Sequence, residues 1–296
     1  MTALVDEQTL RAPEEGSVLP QIRPRPISEI RAHLRSQRTL WCPGCSNGIV
    51  TRALIEAILE LGLDEDKVAI FAGIGCCGRI TTYVDYSTVH TTHGRALAFA
   101  SGAKVADPDL HVIVVMGDGD CAAIGGNHLI HAARRNIDVT ALVFNNSIYG
   151  MTGGQMSPTT HVGDRSTTSR YGNVERAFDL CELAHASGAT YVARGTAWDY
   201  RQLARLIAGG ITHHGFSFVE AMAICPVYYG RQNLTADPAE FLTLQKEHAV
   251  PASTYGEGVA RRHETYPVGV LHHAEFEEYT DGQRVTRQRA QEDGRG

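Results

Sequence analysis

Short apolar runs alternate with helix-patterned segments in this chain, and each run stops at chemically unusual residues. Residues 68–73, 111–116, 139–144 and 216–224 read as buried strands, and 191–193 as a further short one. Residues 47–62, 95–106, 122–135, 176–187 and 200–208 carry apolar residues at helical spacing. Strands apolar on both faces, alternating with helices, predict an α/β fold: a mostly parallel sheet with helices on both faces. Ligands in such sheets bind beyond the carboxyl ends of the strands. Those ends carry Gly75-Cys76, Gly117-Asp118-Gly119, Asn145-Asn146 and Cys225-Pro226.

One unit of this pattern is specific. Gly117-Asp118-Gly119 follows a strand and opens a helix, and Asn145-Asn146 closes the next strand. Mg²⁺ takes near-octahedral oxygen ligands, commonly shared between side chains and phosphates. Asp118 supplies charge at one strand end, and Asn146 a neutral carbonyl at its neighbour. The glycines let backbone approach a diphosphate, and the following helix N-terminus favours the anion. The arrangement predicts a Mg²⁺-diphosphate site. A lone Gly-Asp-Gly would imply only a turn; the surrounding strand–helix–strand context carries the argument.

The thiols form a second pattern. Cys42-Pro43-Gly44-Cys45 opens a helix, and Cys76 and Cys225 stand at strand ends. The start of the chain has no basic segment followed by an apolar run, so no secretory signal is expected. No stretch of 18 apolar residues is present, so no membrane span is expected. A cytoplasmic location follows, where the 7 cysteines stay reduced and act as ligands, catalytic thiols or core residues. Four thiolates from separate elements suit a 4Fe–4S cluster. Spacing alone is equally compatible with zinc plus structural thiols.

Residues 1–38 form an arm, where Pro13, Pro20, Pro24 and Pro26 break any long helix; it either wraps a partner or is mobile. Residues 39–230 make the cofactor-binding α/β domain, and 231–296 a less periodic C-terminal extension. Its polar, charged end, 280–296, is expected to be disordered. The net charge of −6, without a basic block, excludes nucleic acid as an expected partner.

Read together, these segments resemble a known family. Trp-Cys-Pro-Gly-Cys stands at 41–45, Gly-Ile-Gly-Cys-Cys-Gly-Arg at 73–79 and His-Thr-Thr-His-Gly-Arg at 90–95. Gly-Asp-Gly-Asp follows at 117–120, a Gly-Gly-Asn-His segment at 125–136, and Asn-Asn-Ser-Ile-Tyr-Gly-Met-Thr-Gly-Gly-Gln at 145–155. In order and spacing they look like the β subunit of the 2-oxoacid:ferredoxin oxidoreductases, from about Trp41 to Tyr229. The resemblance implies a thiamine-diphosphate-binding fold. It implies Mg²⁺ on Asp118, Asn146 and the Ile148 carbonyl, and a 4Fe–4S cluster on Cys42, Cys45, Cys76 and Cys225. Cys77 stands where the family usually has Ser, which opens the choice of Cys76 or Cys77 as the ligand; Cys121 and Cys181 read as core thiols. Gly75, Cys76, His93, Gly117, Gly119, Asp120 and Gly150 are implied beside the cofactor. Asn127 and His128 are expected to face its diphosphate or its reactive end. Arg79 is a candidate for a substrate carboxylate, with a surface ion pair as the other reading. His90 and His93 read as surface or hydrogen-bonding residues rather than a metal pair.

The implied reaction is oxidative decarboxylation of a 2-oxoacid, with electrons leaving through the cluster to ferredoxin and coenzyme A taking the acyl group. Gly153-Gly154 stands where broad-specificity relatives often carry Lys, so 2-oxoglutarate is the expected substrate, with pyruvate or a branched 2-oxoacid as the alternative. The chain shows one fingerprint, so the Glu that activates the aminopyrimidine is expected from an α subunit in an (αβ)₂ assembly. Two rivals remain: a non-redox thiamine lyase or synthase with structural zinc, and a non-catalytic nucleotide-binding module.

Overall fold

The structure is a computed structural model that describes residues 19–36, 38–255 and 265–294. In chain order, α1 (Ile27–Ala32) and α2 (Asn47–Leu61) precede β1 (Val68–Ala72), and β2 (Ser87–His90) follows a 3₁₀ segment at Cys77–Thr82. Then come α3 (Ala96–Ala106), β3 (His111–Gly117), α4 (Asp118–Ala122), α5 (Gly126–Arg135), β4 (Thr140–Asn145), and the small pair β5 (Ile148–Tyr149) and β6 (Gln155–Met156). The chain continues through α6 (Leu180–Ala186), β7 (Tyr191–Thr196), α7 (Tyr200–Thr212), β8 (Ser217–Met222), the single turn α8 (Arg231–Asn233), α9 (Pro238–His248), β9 (Ala249–Pro251), β10 (Tyr266–His273) and α10 (Tyr279–Glu292).

Eight strands form one sheet in the order β2-β1-β3-β4-β8-β7-β10-β9. From β2 to β7 every neighbour is parallel, while β10 runs antiparallel to β7. Alternate strand residues feed two cores. Ile70, Ile113, Leu142 and Val219 pack with α2 and α7 on one face. Phe71, Val114, Val143 and Phe218 pack with α3, α5 and α6 on the other. This is the predicted α/β sheet with helices on both faces. β2 and β3 flank β1 on opposite sides, so the order reverses at the β1/β3 boundary, where open α/β sheets place ligands.

Several sequence-based expectations need correction. The helix expected over 122–135 is two pieces, α4 and α5, because the chain leaves helical geometry at Ala123. The helix expected from 176 starts at Leu180, where Asp179 accepts hydrogen bonds from the backbone of Cys181 and Glu182. The C-terminal extension is not separate: β9 and β10 belong to the main sheet. Nor is its end disordered through the described residues. α10 runs to Glu292, started by Glu278, whose carboxylate accepts from Thr280 N, Asp281 N and Asp138 N. α10 buries no residue, which is why it leaves no periodic signal. The described part of the arm packs on its own chain. Arg25 pairs with Glu60 at 3.1 Å, Leu34 bridges Val84, and Leu19 and Ile22 rest on the core. Its first eighteen residues lie outside the described ones.

A cluster of imidazoles fastens β10 to the sheet. His185 and His272 pack with ring centroids 4.2 Å apart, and His213 and His273 at 5.2 Å. Burial pushes both His213 and His272 down to about 4, so the native packing holds them neutral. Their folded values lie below the usual 6.5, so the unfolded chain binds more protons between those limits. Stability is therefore expected to fall as pH drops from about 6.5 toward 4. Thermal melts across that range should show the loss, and His272→Gln should reduce it to the part that His213 contributes.

Candidate cofactor site

The site is built where β1, β3, β4 and β8 end. Gly117 leaves β3 and Asp118 begins α4, its carboxylate 3% exposed. The hydroxyl of Thr159 lies 2.6 Å from Asp118 Oδ2 and 2.9 Å from Asn145 Oδ1. Burial pushes the Asp118 carboxyl up to about 6, against the opposing hydroxyls of Ser157 and Thr159. A buried carboxylate held this way calls for a cation, which is the chemistry of a Mg²⁺ ligand.

The two asparagines at the end of β4 do different work. Asn145 is buried, and its amide is consumed: Nδ2 donates to Glu220 Oε1 at 2.8 Å, and Oδ1 accepts from Ser147 N and Thr159. Glu220 in turn accepts from Arg194 Nε at 2.6 Å, and Arg194 also donates to Asp179. Ser147 adopts φ 58, a left-handed conformation that turns the chain sharply. Asn146 therefore faces the cavity, with Oδ1 engaged only at 3.3 Å by Ile148 N. Asp118, Asn146 and Ile148 all line this cavity, with Gly75, Cys76, Cys77, His93, Gly117, Gly119, Asp120 and Gly150.

Asp120 lines the cavity and also braces the loops around it. Its Oδ1 accepts from His93 Nδ1 at 2.5 Å, Gly94 N at 2.7 Å and Ile74 N at 3.4 Å, so the oxygen is spent on the protein. Burial raises this carboxyl, and those hydrogen bonds oppose the rise. A Cβ on Gly73 would lie 1.9 Å from Asp120 Oδ2, which explains the glycine. Asp120 fixes His93 with Nδ1 as the donor, leaving Nε2 as the ring's acceptor. Tyr149 packs edge-on to His93 and donates to Gly119 O; a Cβ on Gly119 would strike that ring at 2.2 Å.

The four expected cluster thiols come together beside the cavity, and Cys76 is the one of them that lines it. Cys42 is exposed, and Cys45, Cys76 and Cys225 are half-buried. Burial pushes Cys45 up to about 12 and Cys76 up to about 11, and the neighbouring thiols add to both. A Cβ on Gly150 would lie 3.5 Å from Cys76 Sγ and 3.7 Å from Cys225 Sγ. Ser46 Oγ accepts from Ile224 N at 2.7 Å, which ties the Cys-Pro-Gly-Cys turn to the chain after β8. Trp41 Nε1 donates to Cys76 O.

Geometry separates the two metal readings. A tetrahedral zinc–thiolate site, with Zn–S near 2.3 Å, puts its sulfurs about 3.8 Å apart. Among the described residues, no three of these thiols lie within 4.8 Å of one another. Four thiols spread more widely than one ion spans fit a 4Fe–4S cubane. Cys77 points elsewhere: it is buried, and a Cβ on Gly117 would lie 3.6 Å from its sulfur. Cys76 is therefore the sulfur that faces its partners.

A family model described as thiamine pyrophosphate enzyme, C-terminal TPP binding domain, matches residues 73–221. The 2-oxoglutarate synthase subunit KorB of Archaeoglobus fulgidus is 54% identical over 223 residues, 75% of this chain and 81% of its own. The chain belongs to the β-subunit family of the 2-oxoacid:ferredoxin oxidoreductases. A second member, the KorB subunit of Methanocaldococcus jannaschii, is 51% identical over 71% of this chain and 78% of its own. A solved 2-oxoglutarate:ferredoxin oxidoreductase from Magnetococcus marinus, with 2-oxoglutarate, coenzyme A and succinyl-CoA bound, superposes with a TM-score of 0.80 at 32% identity. That likeness covers 92% of this chain and 93% of the other.

Not every expected residue joins the site. Asn127 is exposed and His128 half-exposed, and neither lines the cavity, because the break at residues 123–125 moves α5 away. Arg79 is exposed three residues past Cys76, outside the lining. His90 bonds Thr81 Oγ1 at 2.9 Å, while His93 bonds Asp120, so the two are not a pair. Cys121 and Cys181 are fully buried core thiols, as expected. Thr159, Tyr149 and Asn47 are site residues that sequence reasoning missed. The hydroxyl-rich stretch at 157–160, just past the Gly-Gly-Gln segment, is the signal that could have pointed to Thr159.

The division of labour between the asparagines predicts distinct losses. Asn146→Ala should weaken Mg²⁺-thiamine diphosphate binding at least tenfold in calorimetry while leaving the melting temperature nearly unchanged. Asn145→Ala leaves the buried Glu220 short of a donor and should cost about 1–3 kcal/mol of stability.

Proposed function

We propose that this chain is the cofactor-carrying β subunit of a 2-oxoglutarate:ferredoxin oxidoreductase, active with an α subunit. One observation carries the reading: Cys76 lines the cavity that also holds Asp118 and Asn146, so one residue borders both the diphosphate site and the cysteine cluster. A non-redox thiamine enzyme with structural zinc has no use for that adjacency, and the sulfur spacing argues against zinc.

When bound, thiamine diphosphate supplies a carbanion nucleophile and the electron sink for decarboxylation. Asp118, Asn146 and the Ile148 carbonyl would hold its Mg²⁺. His93, fixed through Asp120, presents Nε2 toward the cavity as a proton acceptor or relay. Cys42, Cys45, Cys76 and Cys225 would hold the 4Fe–4S cluster, and the turn that follows Cys225 is closed by Tyr229 N and Gly230 N donating to the Cys225 carbonyl. Arg79, exposed three residues past Cys76, stays the candidate for a substrate carboxylate, since its guanidinium is free, among the described residues, to pair with one. Asn127 and His128 have no part.

The cavity lining includes no glutamate, and its two aspartates are engaged as described. The acid for the aminopyrimidine then comes from the α subunit, in an (αβ)₂ assembly. Ferredoxin accepts the electrons and coenzyme A the succinyl group. No helix among the described residues is long and apolar enough to cross a membrane, and we place the enzyme in the cytoplasm.

Anaerobic purification with the α subunit should give a brown complex with about four irons per β chain. Cys225→Ser should bleach the visible absorption and leave thiamine diphosphate bound. The complex should reduce ferredoxin with a kcat/KM at least tenfold higher for 2-oxoglutarate than for pyruvate, and the β chain alone should show no activity. A colourless, zinc-loaded complex, or a strong pyruvate preference, would sink the reading.

A further inference from the structure

Asn47 is 1% exposed, and neither its Nδ2 nor its Oδ1 has a hydrogen-bond partner among the described residues. Leaving a buried amide unpaired is costly, and native proteins rarely do so without a reason. The side chain is not lost in the core: it lines the cavity with Cys76, Gly117, Asp118 and Asn146. Asn47 is also the first residue of α2, a helix of 15 residues. The positive end of that helix therefore stands at the cavity wall, where it favours an anion. The Asn47 backbone N–H is turned to the Cys45 sulfur. One residue thus addresses the cysteine cluster with its backbone and the cavity with its side chain.

We propose that the Asn47 side-chain amide is a binding residue, donating through Nδ2 to an anionic oxygen of the bound ligand. The helix end beside it selects the donor side of the amide over the carbonyl. Two oxyanions are available once the function proposed above is granted, on which this inference rests: the cofactor's diphosphate and the substrate's carboxylate.

The test uses the αβ complex, stripped of thiamine diphosphate and Mg²⁺ and then titrated by calorimetry with Mg²⁺ and thiamine diphosphate. Asn47→Leu keeps the branching and the number of side-chain heavy atoms and removes the polar ones, and Asn47→Ser keeps a donor. Asp118→Ala is the control for the underlying function. In the stripped complex, Asn47→Leu should melt no lower than the parent, because an unpaired buried amide has been replaced by apolar atoms. If the diphosphate is the ligand, its cofactor dissociation constant should rise about tenfold or more, with partial recovery in the Ser variant. If the carboxylate is the ligand, cofactor affinity should hold while the KM for 2-oxoglutarate rises by a similar factor. Either result supports the proposal. Unchanged cofactor affinity and unchanged KM, in a variant that melts normally, overturn it. A lower melting temperature of the stripped complex also overturns it, since the amide would then have a structural partner. If Asp118→Ala leaves cofactor affinity intact, the function proposed above fails instead.

Discussion

Asp120 stands one turn past β3, yet its Oδ1 accepts from Ile74 N, His93 Nδ1 and Gly94 N, groups that follow β1 and β2. Strand ends in a parallel sheet have no ladder to hold their loops, and a single buried acceptor does so here. It stands at the β1/β3 boundary, where the strand order reverses and the crevice opens. The glycines around it follow from the same crowding: Gly73 and Gly125 sit where a side chain would strike Asp120. With those loops fixed, His93 has a defined tautomer and Cys76 a defined direction.

In the cavity and beside it, groups are held in environments that disfavour their charged forms. Burial raises the Asp118 carboxyl and the Cys45 and Cys76 thiols, and the thiols raise one another. A protein without its cofactors bears that cost. Metal bound there, as proposed, would relieve it by supplying positive charge and would couple occupancy to stability. The neighbouring backbone opposes that cost: amides just after Cys225 and the amide of Asn47 favour the charged thiols at Cys225 and Cys45.

The sheet and the strand-end chemistry were legible because burial on both faces writes continuous apolar runs, and Gly-Asp-Gly and Asn-Asn interrupt them abruptly. β2 was not legible, because Ser87–His90 is largely exposed and carries no apolar pattern. β10 escaped because His272 and His273 end an otherwise buried run, and α10 because it buries nothing. Within the site, residue type told less than direction. Asn127 and His128 looked apt by spacing, but a break of three residues turns them to solvent. Asn145 and Asn146 look alike in sequence, and only the reach of Glu220 across from β8 separates a structural amide from a cavity-facing one.

The pair behind Asn145 has a consequence of its own. Arg194 and Glu220 are 5% and 2% exposed, on adjacent strands, joined at 2.6 Å. Losing either alone would strand a charge in the sheet interior, while replacing both with apolar residues need not. Glu220 also orients the asparagine that precedes the cavity-lining Asn146, so an apolar exchange that the fold tolerates would still be felt at the proposed cofactor site. Over generations these two positions can drift only in concert, and only as far as Asn145 permits.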